Sequence, residues 1–330
     1  MSEMDKQRLA PIGRRMVRLL QGVVPPLVTP FTAEGEVDHD SLRRLCNFLI
    51  EAGVDGLYVC GTTGEFPLLS ADERCAIVTT VVEAAGGRVP VYAHVGAAGT
   101  RETMALARHA AAVGADGVGA ITPYFYAYSD DDVRRHYLAL AEAAAPLPVY
   151  LYSLPSCAGN AISPSLAEAL YREAFNIVGL KDSSGDLALL RAHRAVQVPG
   201  KSISLLSGTD GLNLAALELG CDGMVSGNAN AVPEPFVALW RAWWAGDGAA
   251  ARVAQAQVDA VRAAFCNGAR LADFKAVLVE RGVLCTSLVR APQPPSGDSH
   301  ALVAALCKAS VLDVAETAAR SRAIPRTSST

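Results

Sequence analysis

The chain has 330 residues and a formal net charge of −4, with 51% hydrophobic and 19% charged residues. That length holds one large core or two ordinary ones, and a composition rich in Ala, Leu, Val and Gly suits buried strands alternating with small-residue helices. The charge gives no reason to expect nucleic acid as a partner, and no stretch reaches the ~18 to 20 consecutive apolar residues of a membrane span.

Residues 1–21 mix acidic and basic side chains, and the apolar run 16–20 is broken by Arg18. They read as an N-terminal extension rather than a signal peptide, so a cytoplasmic location is expected. From residue 22 onward, short apolar runs alternate with helix-length segments. The runs are 23–29, 57–60, 89–95, 118–122, 149–152, 177–181, 203–207 and 224–226. Being continuous rather than alternating in polarity, they predict strands buried on both faces. Asp38, Ser70, Thr100, Ser129, Ser163, Asp186, Asp210 and Pro233 precede or open the helical segments, as capping residues and first-turn prolines do.

One punctuation recurs in Gly53-Val54-Asp55-Gly56, Gly114-Ala115-Asp116-Gly117 and Gly220-Cys221-Asp222-Gly223. The first glycine can end a helix in the left-handed conformation, and the Asp-Gly turns the chain into the next strand. Strand followed by helix, repeated eight times, predicts an α/β fold: a (β/α)8 TIM barrel over 22–246, with a doubly wound open sheet as the alternative. After Trp244 the alternation stops. Segments 247–267 and 271–282 read as added C-terminal helices within 247–290. Residues 291–330 begin with a Pro-rich linker at 291–297, pass through a weak helix around 300–309 and end in a Ser-, Thr- and Arg-rich tail expected to fray.

The eight cysteines contain no CxxC pair and the six histidines no HExxH or HxH spacing. The cysteines read as reduced small hydrophobes, and neither a metal nor another cofactor is expected.

Barrel enzymes work where strands end, and polar residues collect there: Gly61-Thr62-Thr63-Gly64-Glu65, Thr122-Pro123-Tyr124-Phe125-Tyr126, Tyr152-Ser153, Lys181-Asp182-Ser183 and Ser207-Gly208-Thr209-Asp210. Lysine is scarce, at positions 6, 181, 201, 275 and 308, and Lys181 alone ends an apolar run. Desolvation at a barrel mouth favours a neutral amine, the form that attacks a ketone. The other reading of Lys181 is a structural lysine paired with Asp182. Thr62, Thr63 and the backbone of the glycine-bracketed turn suit an α-keto carboxylate, while Glu65 could pair with a neighbour or support the turn. Tyr152 could pass protons beside an imine, or be a half-buried barrel tyrosine.

In this order, Gly61-Thr-Thr-Gly-Glu65, Thr122-Pro-Tyr124, Leu151-Tyr-Ser-Leu-Pro-Ser156, Gly179-Leu-Lys-Asp182, Ser207-Gly-Thr-Asp210 and Gly223-Met-Val-Ser226 resemble the motifs of the dihydrodipicolinate synthase and N-acetylneuraminate lyase family, across 22–282. The resemblance implies a (β/α)8 barrel with C-terminal helices, a homotetramer or homodimer, and a class I aldolase that binds pyruvate or a related 2-keto acid as a lysine imine. It implies Lys181 as the imine lysine, Tyr152 as general acid and base, Thr62 as its relay hydroxyl, and Thr63 with the Gly61 turn on the substrate carboxylate. Ser183, Gly208, Asp210, Ser226 and Gly227 match positions that handle the rest of the substrate, and Ser153 offers a further hydroxyl.

Two departures stand out. Synthases of the family supply a second tyrosine across the dimer interface where this chain has Phe125. Either Tyr124 or Tyr126 takes that part, or the relay is shortened to Thr62 and Tyr152. Synthases also place an arginine after strand five, where this chain has Cys157. The expected function is therefore a Schiff-base lyase, aldolase or dehydratase acting on pyruvate or a 2-keto-3-deoxy sugar acid. The alternatives are a 4-hydroxy-tetrahydrodipicolinate synthase with an altered site and a non-catalytic keto-acid-binding barrel.

Overall fold

The computed structural model describes residues 9–12, 15–268 and 270–312. A hairpin, β1 (Leu9–Ile12) and β2 (Arg15–Arg18), precedes eight parallel strands: β3 (Gly22–Val23), β4 (Leu57–Val59), β5 (Val91–His94), β6 (Gly117–Ile121), β7 (Val149–Ser153), β8 (Ile177–Asp182), β9 (Ser204–Ser207) and β10 (Gly223–Met224). Between them lie α1 (His39–Ala52), α2 (Ala71–Ala85), α3 (Thr100–Ala112), α4 (Asp130–Ala144), the single turn α5 (Pro155–Ala158), α6 (Pro164–Glu173), α7 (Leu187–Ala195) and α8 (Asn213–Glu218). The chain then adds α9 (Glu234–Trp244), α10 (Gly248–Ala264), α11 (Leu271–Glu280) and α12 (Ser299–Lys308). No helix among the described residues is long and apolar enough to cross a membrane.

The strand order is β3-β10-β9-β8-β7-β6-β5-β4. The two edges meet where Pro26 bridges Tyr58, with the Leu27 N–H on the Tyr58 carbonyl at 2.8 Å and the Tyr58 N–H on the Pro25 carbonyl at 3.1 Å. The sheet is thus a closed barrel, and the open-sheet alternative falls. Pro25 and Pro26 have no N–H for a ladder, which is why the strand expected over 23–29 shrinks to β3 and one bridge. Asp38, Ser70, Ser129, Ser163 and Asp186 cap helices with their side chains as expected. The hairpin was not foreseen. The Pro-rich stretch at 291–297 is irregular but not loose at its ends: the Arg290 guanidinium holds Glu73 and the Leu68 carbonyl, and the Gly297 N–H donates to Asp273. The polar tail from 313 lies outside the described residues.

The recurrent Gly-x-Asp-Gly has a definite task. Gly53, Gly114 and Gly220 sit at φ 92°, 85° and 87°. Each following aspartate then forms a two-point clamp on a neighbouring strand. Asp55 accepts the Val23 N–H at 2.8 Å and donates its own N–H to the Val23 carbonyl at 2.9 Å. Asp116 does the same with Val91, and Asp222 with Leu205. The side chain supplies the acceptor that an adjacent strand has not yet begun to offer.

Inside the barrel, Tyr58, Tyr92 and Tyr150 are almost wholly buried. Gly119, Gly117 and Gly179 face them, and a Cβ on any of these glycines would come within 2.5, 2.2 and 2.4 Å of the respective ring or hydroxyl. Leu19 and Leu20 close the bottom, with the Leu20 N–H on the Tyr150 hydroxyl at 2.9 Å and the Tyr92 hydroxyl on the Arg18 carbonyl at 2.7 Å.

Burial pushes the Asp55 carboxyl up to about 6, against the Val23 N–H and Arg241, which lower it. Between its unfolded value of about 4 and that of the fold, the native state holds the proton more tightly, so this contribution to stability falls as pH rises. Asp55→Asn keeps the acceptor and removes the titration. Urea unfolding of this variant is expected to vary less than that of the parent from about pH 4 to about pH 6. Asp55→Ala, which strands the Val23 N–H, is expected to lose about 1–3 kcal/mol near neutral pH.

Candidate active site

β7 and β8 pair with Tyr152 opposite Lys181 and Ser153 opposite Asp182. Side chains alternate between the faces of a strand, so Tyr152 and Lys181 enter the barrel while Ser153 and Asp182 face the helices. Lys181 is 6% exposed, with Nζ 3.8 Å from the Tyr152 ring centroid and 5.3 Å from that of Tyr58. Asp182 is not its partner. One Asp182 oxygen takes the Ser184 N–H and hydroxyl at 2.8 and 2.6 Å, and the other faces His193 at 3.9 Å. The reading of Lys181 as a lysine salt-bridged to Asp182 therefore fails.

The turn after β4 brings Thr62 Oγ1 to 3.2 Å from the Tyr152 hydroxyl. Glu65 anchors that turn. It adopts φ 61°, is buried, and pairs with Lys275 Nζ on α11 at 2.6 Å while its second oxygen accepts the Arg290 N–H at 2.9 Å. Lys275 also donates to the Leu288 carbonyl at 2.7 Å. Burial lowers Lys275 to about 8, although Glu65 favours its charged form. Glu65 thus takes the supporting role and stands apart from the reacting groups. Lys201 is likewise structural, donating to the Tyr171 and Ala174 carbonyls at the end of α6.

A cavity of about 360 Å³ opens beyond Thr62 and Thr63. Its far wall carries Gly208, Thr209, Asp210, Gly227 and Asn228, and its outer wall Arg262 and Asn267. Asp210 is buried, and its carboxylate accepts the Ser226 hydroxyl at 2.8 Å and the Asn228 amide at 2.6 Å. Burial nevertheless raises its pKa. Ser226 acts by orienting Asp210. Gly208 makes room for Ser183, whose hydroxyl would lie 2.0 Å from a Cβ there, and Gly227 lies against Thr63.

Other expected residues are not brought to the cavity. Ser153 is fully buried and accepts the Ile162 N–H. Tyr124 is half-buried against Phe66, and Tyr126 is exposed beside Phe125. Within one chain, among the described residues, no hydrogen bond joins either tyrosine to Thr62, whose hydroxyl meets that of Tyr152. Cys157 is exposed on α5. Asn228, Arg262 and Asn267 went unnoticed in the sequence. The available signal was the pair Gln255 and Arg262, two turns apart on an Ala-rich helix. Gln255 grips the Asp210 carbonyl at 3.1 Å, and Arg262 lies over Gly211.

The dihydrodipicolinate synthetase family model matches residues 19–309. The chain belongs to this family. It is 44% identical over 80% of its length, and 85% of the relative's, to an uncharacterised DapA-like lyase of Halobacterium salinarum. To a 4-hydroxy-tetrahydrodipicolinate synthase of Sorangium cellulosum it is 40% identical over 85% of its length and 92% of the relative's. The Escherichia coli K12 protein YagE, which bears a provisional 2-dehydro-3-deoxy-D-gluconate aldolase name, is 38% identical over 69% of this chain and 76% of its own. The crystal structure of YagE with pyruvate superimposes with a TM-score of 0.85 at 32% identity, covering 89% of this chain and all of YagE. Membership of the dihydrodipicolinate synthetase family makes the protein a lyase by class, consistent with Schiff-base chemistry.

The two buried lysines should respond differently to the same change. Lys275→Met leaves Glu65 buried and unpaired and is expected to cost about 3–5 kcal/mol. Lys181→Met removes no partner of a carboxylate and is expected to melt close to the parent. Thermal unfolding of both variants checks the contrast.

Proposed function

We propose that the protein is a pyruvate-dependent aldolase that cleaves a polyhydroxylated 2-keto-3-deoxy acid through an imine on Lys181. The observation that carries this is the geometry of three side chains: a buried amine over the Tyr152 ring, and a Tyr152 hydroxyl bonded to Thr62. The pyruvate bound to YagE and the aldolase name of that relative support the substrate class.

In this reading, the turn from Gly61 to Thr63 holds the carboxylate, and the Lys181 amine adds to the ketone and expels water. The C3–C4 bond then breaks, its electrons enter the iminium to give an enamine, and the C4 hydroxyl gives its proton to Tyr152 as an aldehyde leaves. Tyr152 and Thr62 return a proton to C3, and hydrolysis of the imine frees pyruvate. Asp210, Asn228 and Thr209 line the cavity and suit the hydroxyls of the departing chain, with Ser183 behind Gly208. A homodimer or homotetramer in the cytoplasm completes the proposal. Phe125 and Tyr126, 86% and 66% exposed and in edge-to-face contact, form an apolar patch suited to a second copy.

One observation favours a second reading. Arg262 brings a guanidinium to the cavity wall, a place from which it could grip the carboxylate of aspartate semialdehyde, the second substrate of a 4-hydroxy-tetrahydrodipicolinate synthase. Asp259 at 3.1 Å and Asn267 at 3.3 Å already occupy it, so the sugar-acid reading stands first.

Borohydride reduction with pyruvate is expected to add the mass of the reduced adduct to Lys181, and none in Lys181→Ala. A non-catalytic binder would acquire none in either. Tyr152→Phe should still be trapped but turn over ~10²- to 10⁴-fold more slowly. Substrate choice is read from steady-state kinetics of Arg262→Met. On the sugar-acid reading, cleavage of 2-keto-3-deoxygluconate changes little. A ten- to hundredfold loss, roughly the worth of a charged hydrogen bond, in condensation of aspartate semialdehyde with pyruvate, together with weak action on sugar acids, would restore the synthase.

A further inference from the structure

His94 ends β5, is 1% exposed, and takes no part in the steps above. Its Nε2 lies 3.1 Å from the Ile121 N–H. A backbone N–H can only donate, so Nε2 offers its lone pair and the ring proton sits on Nδ1. β5 pairs β6 as far as His94 and Gly119, and the Val95 N–H reaches the Gly119 carbonyl. The imidazole therefore supplies the acceptor that Ile121, two residues further on, no longer finds in a strand. Gly96 makes the contact possible: a Cβ there would stand 2.9 Å from both Nε2 and the Ile121 nitrogen.

The ring also organises the aromatic side chains of the site. Phe66, which follows the Thr62 turn, lies 4.5 Å away, and Tyr58 6.1 Å. Tyr152 meets the imidazole edge to face at 5.9 Å and 85°. Arg74 donates to the His94 carbonyl at 2.8 Å and packs over Phe66. Burial, with the charges of Arg74 and Lys181, holds the imidazole well below the usual histidine range, so it adds no charge beside the amine.

We propose that His94 is a positioning residue for the acid–base tyrosine: it extends the β5–β6 pairing with its side chain and fixes the Tyr152 ring against Lys181 and Thr62. The inference rests on the roles proposed for those three residues. His94 itself touches no reacting atom. Its loss should therefore spare imine formation and slow the proton transfers that need Tyr152 in register.

His94→Phe keeps a ring of similar size and removes the acceptor, whereas His94→Gln keeps an acceptor and removes the ring. Both are assayed for pyruvate trapping by borohydride and for cleavage of 2-keto-3-deoxygluconate, with kcat expressed per trappable site so that any unfolded fraction drops out. We expect His94→Phe to keep trappable sites and a KM close to the parent's, with kcat per site lower by roughly ten- to a hundredfold, the cost of a small misplacement. His94→Gln should recover part of that loss. Parental kcat per site in His94→Phe overturns the inference, and so does loss of trapping in both variants, since a positioning residue leaves Lys181 reactive. Failure of the parent protein itself to trap pyruvate would remove the reading of Lys181 and this inference with it.

Discussion

A parallel barrel closes only around a filled interior, and here the filling is done from below by three tyrosines. Tyr58, Tyr92 and Tyr150 each occupy space that a glycine on another strand leaves open. A side chain at Gly117, Gly119 or Gly179 would drive a ring upward into the layer where Lys181 and Tyr152 stand. The glycines of the run 117–119 are therefore as much part of the site's height as the lysine is. The floor beneath Lys181 is aromatic, and among the described residues no carboxylate lies within ion-pair distance of its amine. An amine held this way is free to meet a carbonyl carbon instead of an ion-pair partner.

Lys275 shows the opposite use of burial. It is fully enclosed with Glu65, and the pair ties the turn bearing Thr62 and Thr63 to α11, more than 200 residues later. Such a pair is a doubtful source of net stability, because two charges leave water to form it. What it provides is position: Glu65 also holds the Arg290 backbone, and Arg290 in turn holds Glu73 on α2. The helices beyond the barrel thereby help to set where the turn and its hydroxyls lie.

Much of this was legible in the sequence because the barrel writes its rules locally. Continuous apolar runs marked the strands, and the Gly-x-Asp-Gly punctuation marked where they begin, although only the structure shows each aspartate clamping an adjacent strand. Lys181 and Tyr152 could be read together because both end such runs. Ser153 could have been excluded on the same ground: a strand that sends Tyr152 inward sends its neighbour outward. Other features depend on contacts across the fold. Nothing near Arg262 says which face of α10 covers the mouth, and nothing near His94 says that its ring replaces a rung of strand pairing. The hairpin β1–β2 has no clear alternation to announce it.

The division of labour between strands and added helices bears on specificity. The groups that could make and break an imine stand on β7, β8 and the turn after β4, while Arg262 and Asn267 come from α10 and the turn that follows it. In this chain the two walls oppose each other in charge. Asp210, kept in place by Ser226 and Asn228, faces a cavity whose one guanidinium among the lining residues is already engaged by Asp259. A second carboxylate entering there would meet the acceptor oxygens of Asp210 as well as an Arg262 already bonded to Asp259, and an anion gains little from either. A hydroxylated chain meets donors and acceptors on both walls without that conflict, which is the physical ground for placing a neutral polyol there before the carboxylate of an amino-acid aldehyde.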